Sequence, residues 1–178
     1  RFSLKIIEST DKEIIYRNEW VQVNCRKSHR KNDTAYKLSI KNLSSKHIRI
    51  TRLRFPASDG LNGFMEKINP KRITFLRNGY QSWSTARTYR ISEKPLRPRF
   101  KLMSLATSNM ANLPSNTPGM LSSEMYSVIM DLDSKDSLLV GQLPPFNQFF
   151  YIILNINRKG SKSFFEIIYD FGRQLLEP

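Results

Sequence analysis

Tyr36-Lys37-Leu38-Ser39-Ile40 alternates strictly between apolar and polar side chains. Tyr36, Leu38 and Ile40 point one way and Lys37 and Ser39 the other, which is the period of a β-strand with one buried and one wet face. Working outward, the same pattern recurs on both sides. Residues 2–6, 13–16 and 20–25 precede it, each short, each bounded by polar residues. After it, in residues 48–55, Ile48 and Ile50 share one phase and Leu53 and Phe55 the other, with a one-residue slip at Thr51-Arg52 that a β-bulge absorbs. Further strands are expected at residues 73–76, 124–130, 137–141, 149–154 and 163–169. Helical periodicity is almost absent. The chain therefore predicts an all-β domain, a large antiparallel β-sandwich.

The connections carry their own signals. Residues 28–33 form a polar turn, and residues 131–136 an acidic one that lacks the glycine and terminal glutamate of a calcium loop. Residues 56–72 hold two glycines and two prolines, with a helical turn expected near Phe64-Met65-Glu66-Lys67. Residues 86–120 are the least regular, interrupted by Pro95, Pro98, Pro114 and Pro118, each of which removes a backbone donor. Residues 171–178 read as a turn leading into another strand. The sandwich is accordingly expected to be incomplete at its C-terminal end.

A formal charge of +14 raises the question of nucleic acid. Residues 1–60 carry 14 Lys/Arg against 6 Asp/Glu, residues 61–120 carry 10 against 2, and residues 121–178 carry 5 against 7. Such a spread predicts non-specific affinity for polyanions at low salt. No zinc-finger spacing, RNA-recognition consensus or helix-turn-helix pattern supports specific nucleic-acid binding. No apolar run is long enough to span a membrane. The single cysteine, Cys25, alternates with Val21 and Val23 and is expected to fill a core; its solitude fits a reducing, cytoplasmic setting and is also compatible with a secreted protein. Two sequons, at Asn32 and Asn42, carry little weight.

Chemistry concentrates in Arg77-Asn78-Gly79-Tyr80-Gln81-Ser82-Trp83-Ser84-Thr85. Asn78-Gly79 is a turn signal after the strand at 73–76, since both residues tolerate positive φ. Tyr80 and Trp83 follow closely, beside an amide and a hydroxyl. That combination suits a sugar, whose C–H face stacks on a ring while its hydroxyls take directional bonds; composition alone favours the other reading, two core aromatics at a strand end. Elsewhere His29 and His47 lack metal-ligand spacing, and neither a nucleophile elbow nor a phosphate-binding glycine loop is present. Only Glu66 and Glu93 supply carboxylates between residues 61 and 120. Nothing in the chain calls for a cofactor.

Asn78-Gly79-Tyr80-Gln81-Ser82-Trp83-Ser84, then Leu121-Ser122-Ser123-Glu124-Met125-Tyr126, then Leu138-Leu139-Val140-Gly141-Gln142-Leu143, in that order, resemble the N-terminal domain of family-36 glycoside hydrolases. These are α-galactosidases (melibiases) and their relatives. The resemblance covers roughly residues 70–155; residues 1–60 agree with it only as a series of strands. It implies a β-sandwich over residues 1–178 packed against a catalytic (β/α)8 barrel downstream, and a retaining mechanism with two barrel aspartates. A barrel needs about 250 residues, so it lies outside this chain, and activity belongs to the full-length parent. Lys31-Asn32-Asp33 sits in a hairpin turn and is not the family's nucleophile motif. Trp83 resembles the tryptophan inserted at the edge of the galactoside pocket, with Gln81 and Ser82 holding the loop and Tyr80 at a position often aromatic. The expected partners are an α-galactoside, the barrel, and further copies in a homo-oligomer that would cover an apolar face. A stand-alone carbohydrate-binding or interaction sandwich is the alternative reading, and a basic nucleic-acid-binding domain the next.

Overall fold

The computed structural model describes residues 3–31, 33–56, 67, 69, 71–79, 86–93, 119–144, 148–156 and 164–178. The elements among them are strands: β1 (Lys5–Ser9), β2 (Glu13–Arg17), β3 (Val21–Arg30), β4 (Asp33–Asn42), β5 (Ile48–Pro56), β6 (Ile73–Arg77), β7 (Arg87–Arg90), β8 (Met120–Glu124), β9 (Tyr126–Asp131), β10 (Ser137–Gly141), β11 (Phe149–Asn155) and β12 (Phe164–Leu176). They form three sheets, ordered β1-β2-β3-β4, β10-β9-β6-β7 and β5-β12-β11-β8. Two compact units result, Arg1–Thr51 with Gly172–Pro178, and Arg52–Phe171. No described helix is long and apolar enough to cross a membrane.

The first unit is built on the meander β1-β2-β3-β4. Its register aligns Tyr16, Val23 and Ile40 in one row and Ile14, Cys25 and Leu38 in the next, so one face is apolar. Val23 and Cys25 are buried at its centre, and burial pushes the Cys25 thiol pKa up, as expected of a core thiol. On the other face Glu13 Oε1 accepts from Arg26 Nε at 3.0 Å and from Asn24 Nδ2 at 3.3 Å. Asn42 ends β4 buried, its Nδ2 donating to the Lys46 and Leu176 carbonyls. The sequon amide at Asn42 is therefore engaged in structure.

The second unit is a sandwich. Ile73 and Phe75 of β6, Tyr89 of β7 and Ile129 of β9 meet Phe150, Ile152 and Leu154 of β11, Leu121 of β8 and Phe165 of β12 in one core. Alternation along β11 sends Tyr151 and Ile153 to the opposite face, where they cluster with Ile168. That face also carries ion pairs between β5 and β12, Arg52 Nε to Asp170 Oδ2 at 2.9 Å and Arg54 to Glu166 at 3.7 Å.

Several expectations shift. The strand expected at 2–6 lies at Lys5–Ser9, and all its residues are exposed, so no buried phase fixes its position. The polar turn at 28–33 contracts, because β3 and β4 pair as far as Arg30 and Asp33, with Lys31 at φ 52° in the left-handed region. The slip at Thr51-Arg52 shows as two successive exposed residues between half-buried Ile50 and Leu53. The stretch 86–93, read as irregular, contains β7; Tyr89 lies opposite Phe75 and is buried. The turn expected after residue 170 is a pair of positive φ values at Gly172 and Arg173 inside a continuing β12. The acidic turn is a hairpin in which buried Asp131 accepts from Asp133 N–H and Arg72 Nε reaches Asp133 Oδ1 at 2.7 Å. The helical turn at 64–67 falls almost wholly outside the described residues.

Candidate functional site

β6 and β7 are antiparallel neighbours with Arg77 opposite Arg87, so the connection through residues 78–86 leaves and returns at one cross-strand pair. Tyr80, Gln81, Ser82 and Trp83 belong to that connection and lie outside the described residues. What the structure describes is its base.

The base is held by Asn78. Its backbone N–H donates to Ser123 Oγ at 2.7 Å, its Nδ2 to the Glu124 carbonyl at 3.0 Å, and its carbonyl accepts from Glu124 N–H at 2.9 Å. Ser123 Oγ in turn donates to the Tyr126 carbonyl at 2.5 Å, and Ser127 Oγ donates to the Leu76 carbonyl at 2.8 Å. Both serines have no exposed surface. A hydroxyl both donates and accepts, so it can bridge two backbone groups that no ladder reaches, which is how a polar side chain tolerates such burial.

Between Ser123 and Ser127 the chain crosses from one sheet to the other. β8 belongs to the sheet β5-β12-β11-β8 and β9 to the sheet β10-β9-β6-β7. Met125 makes the corner at φ 65°, in the left-handed region. Its N–H donates to the Phe150 carbonyl and its own carbonyl accepts from Gln142 N–H, both at 3.0 Å. The strand expected over 124–130 is thus two strands joined at a corner. Three stretches distant in sequence, beginning at Asn78, Leu121 and Leu138, meet here through main-chain bonds. Tyr126 is exposed at the corner, and a Cβ on its cross-strand neighbour Gly141 would come within 3.0 Å of the Tyr126 Cβ. Glycine leaves that flank open.

Behind the corner lies a charged group. Glu124 is buried and stands opposite Tyr151, while Asp170 stands opposite Phe149. Burial raises the Tyr151 pKa, the Asp170 and Glu124 carboxylates raise it further, and the Arg52 guanidinium opposes them. Among the described residues no group of three or more His, Cys, Asp or Glu side chains is arranged to hold a metal ion.

Of these features, Asn78 is visible in the sequence as a turn residue, and Ser123 and Glu124 enter only through the family resemblance. Ser127 and Tyr151 carry no signal, since a strand serine ordinarily faces water and a strand tyrosine ordinarily fills a core. No protein-family model matches the chain, and no curated protein sequence does.

Proposed function

We propose that this chain is the sandwich portion of an α-galactosidase-like glycoside hydrolase, packing beside a catalytic barrel and presenting Trp83 at the edge of an α-galactoside pocket. The observation that supports this most is the corner. The three stretches that carry the resemblance are bonded to one another at a single place, and Asn78, which opens the stretch that runs on to Tyr80 and Trp83, is held there. Such rooting is what a substrate-edge aromatic requires, because a stacking ring contributes only when its backbone is held in place. Gln81 and Ser82 would steady the connection, and Tyr80 would add a second aromatic face. The chemistry itself, a double displacement by two aspartates, belongs to the barrel.

The test is to read the source gene past the codon for Pro178 and assay its product on an α-galactoside. The expected result is a frame continuing into a barrel with a Lys-x-Asp strand end and α-galactosidase activity that falls in the Trp83→Ala variant. A stop directly after the codon for Pro178, or a barrel-bearing product inert on α-galactosides, overturns the proposal.

A further inference from the structure

We propose that β10 pairs with β10 of a second copy of this chain, antiparallel about a two-fold axis at Leu139, to make one continuous sheet across a homodimer. Among the described residues β10 is paired on one side only, to β9. The bonds on that side determine which groups face away. Gln142 N–H donates to the Met125 carbonyl, and Asp131 N–H to the Asp136 carbonyl, so residues 136 and 142 sit in bonded pairs. Bonded and non-bonded pairs alternate in an antiparallel ladder. Residues 138 and 140 therefore bond inward, and the N–H and C=O groups of Ser137, Leu139 and Gly141 point outward.

That outward row is symmetric about its middle residue. A two-fold axis sets Leu139 against Leu139 of the second copy, and each Ser137 against Gly141, completing the ladder in both directions. The side chains permit it. Val140 packs inward against the core, while Ser137, Leu139 and Gly141 lie on the exposed face, Leu139 at 69%. Two leucines would sit side by side, and the flanking pairs are small.

The other sheet edges look guarded by comparison. β1 carries Lys5 and Glu8, β4 Lys37 and Lys41, β5 Arg49, Arg52 and Arg54, β7 Arg87 and Arg90, and β8 the buried Glu124. β10 has neither charge nor proline, the devices by which edges avoid pairing. Charge also favours a second copy at this place. The chain is +14 overall, but the hairpin leading into β10 carries Asp131, Asp133 and Asp136 against Lys135, so local acidic charge at this edge offsets part of the repulsion between two copies. Antiparallel pairing opposes Asp136 to Gln142 and no like charges to each other, whereas parallel pairing would oppose Asp136 to itself. With one such edge per copy among the described residues, the assembly closes at a dimer.

Sedimentation of the full chain across concentration tests this. A weak, concentration-dependent monomer–dimer equilibrium is expected for so small an interface, tightening as salt screens the net positive charge. Leu139→Lys and Leu139→Asp should each be monomeric with unchanged circular dichroism, and an equimolar mixture of the two should dimerise again. A wild-type monomer at every concentration overturns the proposal. So does a dimer that Leu139→Lys leaves intact, or one that salt dissociates, or open-ended assembly.

Discussion

At Ser123 one hydroxyl closes two backbone gaps, accepting from Asn78 N–H and donating to the Tyr126 carbonyl, with no exposed surface. Removing it leaves a buried donor and a buried acceptor without partners, so Ser123→Ala should cost about 1–3 kcal/mol. Urea denaturation checks this; a change within experimental error would mean that other groups take over both bonds. Tyr151 offers a pH-dependent counterpart. Its folded pKa is raised, by burial first and by Asp170 and Glu124 next, so the folded state holds that proton more tightly than the unfolded chain does. The stabilisation is complete below the unfolded value of about 10 and is lost as pH rises through the folded value. The stability of wild type relative to Tyr151→Phe should accordingly fall above about pH 10, measured by urea unfolding at stepped alkaline pH; parallel curves would contradict it. Legibility at this scale follows from geometry. Asn78 announces itself because turn chemistry is local, whereas the roles of Ser123 and Tyr151 depend on neighbours that only the folded register supplies.

Among the elements, those with at least one buried face were legible in the sequence. β4 stands where alternation puts it, because burial of every second residue writes itself into composition, while β6, β10 and β11 stand where short apolar runs put them, β11 being buried on both faces. Where neither face is buried the pattern fades. The outer ends of β3 and β4 carry Ser28, His29, Arg30, Asp33 and Thr34, all exposed, and such residues look like a loop. β7 fails differently, since four residues with arginines at both ends give alternation too little length. Corners leave no mark at all, for a methionine such as Met125 does not advertise positive φ. Glycines do, and two of them can be told apart. Gly119, at φ 88°, precedes β8, and a Cβ there would come within 2.5 Å of the Ile156 carbonyl oxygen. Gly172, at φ 57°, has open space around its missing Cβ. Gly172→Ala should lose only the left-handed backbone preference, about 1–2 kcal/mol. Gly119→Ala adds a backbone clash at the point where Ile156 N–H bonds the Gly119 carbonyl, and should cost distinctly more. Thermal melts of the pair rank them, and equal losses would refute the clash.

For the molecule as a whole, the distribution of buried apolar side chains sets where unfolding begins. In the unit Arg52–Phe171 a continuous core joins the two sheets, from Phe75 and Tyr89 to Ile152 and Phe165. In the unit Arg1–Thr51 with Gly172–Pro178, the buried hydrophobics among the described residues are Val23 and Cys25, and the Ile6 side chain of the edge strand β1 is exposed. Burial of a side chain such as valine contributes roughly 1.5–3 kcal/mol, while ordering each residue costs about 1–2 kcal/mol of backbone entropy. A meander with so few buried anchors lies close to balance, and local stability varies along a chain in this way. Cys25 reports on that unit directly, because its buried thiol has a raised pKa and reacts only when the sheet opens. In a urea series, Cys25 should become reactive toward a thiol reagent at a lower concentration than the one at which the tyrosine environment of the larger core is lost. Val23→Ala should move the thiol transition further down, by about 2–3 kcal/mol of local stability, and leave the second transition in place. Coincident transitions that shift together in Val23→Ala would instead make the two units a single cooperative fold, with the small sheet supported by more than its own buried residues.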